Sequence, residues 1–139
     1  MATYYFRNAT ATWGTASNWS LSSGGPADGA IPGNGDDVIF DSNSRATCTL
    51  NTNRNCRTLS FTNWTGTIDF NNVFLRIYGS LDCGDALFSI TNPGSWQMGG
   101  TNGVLNGQII RTNGKVLSGT LSFGYSSGTI PVQLIDDVT

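Results

Sequence analysis

The sequence contains no glutamate and no histidine, and charged residues make up only 12% of it, about half the ~25% of an ordinary soluble domain. Every acidic residue is therefore aspartate. The missing histidine closes the Ser–His and Cys–His routes to nucleophilic catalysis and removes the commonest transition-metal ligand. The missing glutamate, with a single lysine at Lys115, leaves few strong helix formers, so long helices are not expected. No apolar run approaches the roughly 18 residues of a membrane-spanning helix, and no membrane partner is expected. The opening MATYYFRNAT has neither the basic start nor the apolar stretch of a secretory signal, so none is expected there. The seven basic residues are scattered from Arg7 to Lys115, with no run able to neutralise successive phosphates, and nucleic acid is not an expected partner. There is no CxxC pair; Cys48, Cys56 and Cys83 are odd in number and are expected to be buried, unpaired apolar fillers within strands.

The length, 139 residues, suits a single domain. Glycine, asparagine, serine and threonine take the place of the missing charges, and they favour strands and turns. Residues 1–37 read as an N-terminal cap and loop, with Tyr5, Trp13 and Trp19 packing over one end of the core. Residues 38–90 carry regular short strands: 38–40, 46–50, 57–61, 67–70, 73–78 and 86–90. Residues 91–139 are more loosely patterned, with strands expected over 108–111, 115–117, 120–123 and 131–135. This spacing of short strands, with turn residues between them, signals a sandwich, a barrel or a solenoid. Alternation places Leu59 with Phe61, Leu121 with Phe123, and Val73 with Leu75 and Ile77 on single apolar faces. Asparagines recur at strand edges (Asn51, Asn55, Asn63, Asn71, Asn106, Asn113), where stacked coils could form amide ladders. The fold class expected is all-β, a short right-handed β-solenoid or β-helix-like domain; the alternative is an antiparallel β-sandwich.

Chemistry is sparse. Asp36–Asp37, Asp82 with Asp85, and Asp136–Asp137 are close in sequence, but adjacent strand residues point to opposite faces and cannot share a glycosidase-type site. Asn34, Asp36, Asp37 and Asp41 cluster around one loop, yet their spacing fits no EF-hand or calcium-binding repeat, and backbone hydrogen bonding in turns is the preferred reading. No catalytic residue, metal or cofactor is expected, and the protein is read as a non-enzyme. The sequons at Asn8, Asn18 and Asn63 are expected by chance from this composition. Among the tryptophans, Trp13 and Trp19 are assigned to packing, and Trp64, in FTNWTGT, is the candidate for an exposed sugar-stacking or interface aromatic.

Residues 10–41, TATWGTASNWSLSSGGPADGAIPGNGDDVIFD, resemble the N-terminal cap of right-handed parallel β-helices of the autotransporter-passenger type, which also occur among bacteriophage virion proteins. Leu59-Ser60-Phe61, Thr65-Gly66-Thr67 and Leu75-Arg76-Ile77-Tyr78-Gly79-Ser80-Leu81 resemble the first coils of such proteins. The resemblance covers about the first 90 residues. It implies a structural phage protein, located in the virion and assembled in the bacterial cytoplasm: a capsid decoration (cement) protein, or a short spike or fibre base. Such a protein would form a homo-oligomer, with a trimer expected, on a phage capsid or tail protein. The alternative is a cell-surface adhesin or carbohydrate-binding module. The expected interface is Ile130, Val132, Leu134 and Ile135, whose side chains alternate on both faces of one strand, together with Trp64.

Overall fold

The computed structural model describes residues 1–7, 10–28, 30–44, 46–85, 87–99, 108–123 and 132–134, the last three as backbone only. The protein is all-β, a solenoid of about four stacked coils, with no α-helix among the described residues. The first coil supplies β1 (Thr3–Phe6) and β2 (Ala11–Thr12), passes through a 3-10 turn at Ala16–Asn18, and turns back as β3 (Trp19–Ser20). After the loop over 21–36, three complete coils follow: β4 (Asp37–Phe40), β5 (Thr47–Thr49) and β6 (Arg54–Cys56); β7 (Thr58–Phe61), β8 (Thr67–Asp69) and β9 (Phe74–Ile77); β10 (Leu81–Asp82), β11 (Ser89–Thr91) and β12 (Ser95–Met98). The next coil supplies β13 (Gln108–Arg111) and β14 (Thr120–Phe123), and β15 (Val132–Leu134) begins another.

Each complete coil gives one strand to each of three sheets, ordered β15-β13-β10-β7-β4-β1-β3, β11-β8-β5-β2 and β14-β12-β9-β6. Every pairing is parallel except β1 with β3. Parallel neighbours rule out the antiparallel sandwich. They also set the coil rise at the strand spacing of about 4.8 Å. In the first sheet Val38 stands opposite Leu59, Leu59 opposite Leu81 and Leu81 opposite Ile110, steps of 21, 22 and 29 residues. The corners between strands absorb these differences, which is why the sequence shows no fixed period.

The core is a set of stacked columns. Val38, Leu59, Leu81 and Ile110 form one; Cys56, Ile77 and Met98 another; Cys48 and Ile68 a third, continued by the half-buried Ile90; all but Ile90 are buried. A ring column runs up the inside: Phe6 to Phe40 at 5.1 Å, Phe40 to Phe61 at 5.4 Å, and Phe61 to Phe88 at 4.0 Å with the planes 16° apart. The expected apolar faces hold for Leu59 with Phe61 and for Leu75 with Ile77, all buried. The three cysteines are buried and none forms a disulfide, in line with the sequence reading.

The cap is closed by Trp13 and Trp19, as expected, with ring centroids 4.9 Å apart and the Trp19 indole N–H donating to the Trp13 carbonyl at 2.7 Å. Tyr5 is not part of it. It alternates with Phe6, so Phe6 takes the inward position and Tyr5 stays half-exposed, in register with Ile39. Two strand expectations fail. The strand expected over 86–90 lies at Ser89–Thr91, and 115–117 is not a strand, because the coil that follows β12 cuts the corner. There, Arg111 to Thr120 covers the arc for which the coil below uses Asp82 to Ser95. The Lys115 ammonium donates to the Phe88 carbonyl and sits 4.6 Å from the Phe88 ring centroid. Among the described residues, sheet two ends at β11.

Candidate interaction surfaces

The acidic loop is a structural clamp. The Asp36 carboxylate accepts the Ala2 N–H at 2.8 Å and the Gly33 N–H at 3.1 Å, tying the start of β1 to the turn before β4. Asp37 pairs with Arg57 and accepts the Thr58 hydroxyl, joining successive coils. Asp41 accepts the Asn43 N–H at 2.8 Å. Each carboxylate is thus engaged in turn and coil contacts, and no group of three possible metal ligands occurs among the described residues. The Asp82 carboxylate binds Arg111 at 3.0 Å and accepts the Gly84 N–H at 3.0 Å.

Trp64 is not exposed. The sequence puts it in a turn, and turn residues usually face water. Here Asn63 adopts φ 52°, and the next side group goes into the core. Trp64 is 1% exposed, lies 4.5 Å from Phe40 and stacks on Phe61 and Phe88, and its indole N–H donates to the Ser44 carbonyl. Trp13, Trp19 and Trp96 are buried as well, so all four tryptophans are interior. None is available to stack on a sugar.

Burial sets the chemistry of the thiols. It pushes the Cys48 thiol well above its usual pKa against a smaller opposing effect of Arg54, and it pushes Cys56 up as well, with Asp37 adding in the same direction. Neither environment favours the thiolate that nucleophilic or redox work requires.

The two ends of the solenoid differ. At the N-terminal end β3 lies antiparallel on β1, with Phe6, Trp13 and Trp19 buried beneath it. At the other end β14 continues the columns of Trp96 and Met98 with Leu121 and Phe123, but these are 37% and 46% exposed. Val116, on the short-cut segment, is 79% exposed. Of the expected interface residues, Val132 and Leu134 lie in β15, in register with Gln108 and Ile110 of β13; Ile130 and Ile135 lie outside the described residues, and Trp64 is in the core. Leu121, Phe123 and Val116 lie upstream of the expected segment, and Leu21, Ile31 and Leu87 are exposed elsewhere. Alternation identifies Leu121 and Phe123 as one apolar face; only the stacking order shows that the face belongs to the last strand described in its sheet.

No protein-family model, no curated protein and no solved structure matches this sequence.

Proposed function

We propose that this solenoid is a non-enzymatic structural module of a bacteriophage virion, a capsid decoration protein or a short spike or fibre base, that works by docking its C-terminal end. The contrast between the ends carries the reading. One end is covered by an antiparallel strand and three buried aromatics. The other presents Leu121 and Phe123 in columns that are fully buried one coil below. Open strand edges with apolar side groups favour pairing with another polypeptide. The phage assignment rests on the resemblance of residues 10–41 and 59–81, and a trimer is the assembly proposed, in which cyclic symmetry brings the same end of each subunit together. The adhesin alternative loses its named aromatic, since Trp64 is interior.

The test is native mass spectrometry of the wild type beside a Leu121→Asp, Phe123→Asp double variant, with circular dichroism on both. The wild type is expected as a trimer, and the variant as a monomer with an unchanged β spectrum. A wild type that stays monomeric at high concentration, and that does not co-sediment with phage particles, ends this reading.

A further inference from the structure

Four Asn-Gly pairs occur in the sequence: Asn34–Gly35, Asn102–Gly103, Asn106–Gly107 and Asn113–Gly114. Asn102 and Asn106 lie outside the described residues. In such a pair the glycine nitrogen reaches the asparagine Cγ with little hindrance, because glycine has no Cβ and wide backbone freedom. Whether it does so in a folded protein depends on two things: freedom of the asparagine amide group, and freedom of the turn.

The two described pairs differ in the asparagine amide group and in the type of turn. Asn34 and Gly35 are exposed and form the centre of a turn closed by the Asp36 N–H on the Gly33 carbonyl at 3.0 Å. The Asn34 amide group has no partner among the described residues; nothing lies within 4 Å of where a Cβ would sit on either Gly35 or Gly114, so space around the glycine does not separate the two pairs. Asn113 and Gly114 are exposed as well, but the Asn113 amide group donates to the Gly84 carbonyl. It stands at φ 50° and Gly114 at φ 77°, in a turn closed by the Lys115 N–H on the Thr112 carbonyl at 2.9 Å. Two left-handed residues in succession make the mirror-image turn, whereas neither Asn34 nor Gly35 has a positive φ.

We propose that Asn34 is a site of spontaneous deamidation in the folded protein and that Asn113, in the same dipeptide, is protected. The Gly35 nitrogen gives up its proton and bonds to Cγ of Asn34; the Cγ–Nδ2 bond breaks and ammonia leaves. Water then opens the resulting succinimide at one carbonyl or the other, giving aspartate or isoaspartate, with no oxidant or reductant involved. The site matters because of its neighbours. Asp36 holds the Ala2 N–H, the Asp37 N–H donates to the Ala2 carbonyl at 2.9 Å, and the Arg57 N–H donates to the Asp36 carbonyl at 2.7 Å. Isoaspartate adds a carbon to the backbone of the turn that aligns these bonds, and either product adds a negative charge next to Asp36 and Asp37. The reaction therefore loosens β1 from β4 and slowly opens the cap.

The experiment incubates the folded protein at mildly alkaline pH and follows each Asn-Gly peptide by mass, with isoaspartate confirmed by an isoaspartyl methyltransferase assay. Asn34 is expected to react at least about tenfold faster than Asn113, equivalent to about 1.36 kcal/mol of activation free energy. In denaturant the two rates should converge. Backbone hydrogen exchange over Thr3–Phe6 should rise with the extent of reaction and stay flat in Asn34→Gln. Equal rates in the folded protein, a faster Asn113, or a rate ratio that persists in denaturant would each overturn the proposal; the last would mean that flanking sequence, not the fold, sets the rate.

Discussion

Asparagine occupies every left-handed non-glycine position among the described residues: Asn63, Asn71, Asn72, Asn92 and Asn113, with φ between 43° and 59°. The sequence suggests amide ladders at such edges. The structure gives a different reason for the residue type, since asparagine is the L-residue that best tolerates this conformation. At Asn72 the amide group makes no hydrogen bond to the other described residues, so the backbone effect can be isolated. Asn72→Gly is expected to be nearly neutral and Asn72→Ala to cost about 1–2 kcal/mol in chemical denaturation. Trp64 makes the larger single contribution. Its removal from an interior stack in Trp64→Ala is expected to cost about 3–5 kcal/mol; a cost within the roughly ±0.5 kcal/mol of a surface substitution would restore it to the outside. The thiols give the pH dependence. Cys48 and Cys56 ionise in the unfolded state near the ordinary thiol value of about 8.5 and only at higher pH in the folded state. The unfolded state therefore binds fewer protons above that value, and stability falls as pH rises, by about 1.4 kcal/mol per pH unit for each thiol. Below it the contribution is complete and flat. Urea midpoints measured from about pH 7 to about pH 10 should fall for the wild type and fall less steeply for Cys48→Ala.

At the scale of the elements, the corners decide what the strands can do. The Cβ of an alanine at Gly66 would stand 2.3 Å from the Ala46 carbonyl oxygen and 2.5 Å from the Trp64 ring, and one at Gly84, where φ is 56°, would stand 1.6 Å from the Phe61 carbonyl oxygen. Both positions are where one coil turns directly over the coil below. Gly84→Ala is expected to be the worse of the two, since it carries a backbone penalty as well as a collision with backbone atoms; comparable midpoints for Gly84→Ala and the wild type would mean that the corner can shift. These corners also explain what the sequence revealed. β4, β7, β9 and β13 are legible because at least three successive residues distinguish inside from outside. β10 and β2, at two residues each, are too short to alternate, and β6 reads Arg54-Asn55-Cys56 with a single buried position. β12, Ser95–Met98, is hidden by the Pro-Gly that precedes it. The exposed end is legible only as an apolar face, because alternation says which residues share a side and not whether another coil lies above them.

For the molecule as a whole, the decisive feature is that, among the described residues, each strand pairs only with strands of the coil above and the coil below or of its own coil. Stability in such an array is a sum of coil terms and neighbour terms, and protection need not be uniform. β7 has β4 on one side and β10 on the other, and Phe61 lies inside the ring column. Among the described residues β14 has a neighbour only at β12, and all four of its residues are exposed. Hydrogen exchange should therefore be slowest at the amides of Thr58–Phe61 and fastest, among paired strands, at Thr120–Phe123. The cap supplies the perturbation that tests the principle. Trp19 packs edge-on against Phe6, Trp13 and Phe40, and its replacement by alanine removes most of what covers the N-terminal end. If the coils are coupled only to their neighbours, Trp19→Ala should speed exchange in β1 and β4 by far more than in β10 and β12, two and more coils away. If the ring column makes the array one cooperative unit, a cost of about 3–5 kcal/mol for a buried tryptophan would lower protection equally in every strand the column joins. The column is continuous from Phe6 to Phe88 but does not extend to β13 or β14. The expected result is thus a step, with the coils from β1 to β12 weakened together and that of β13 and β14 unchanged. Uniform loss that includes Ile109 and Ile110 of β13 would show that the aliphatic column of Val38, Leu59, Leu81 and Ile110 couples the coils as strongly as the aromatic one.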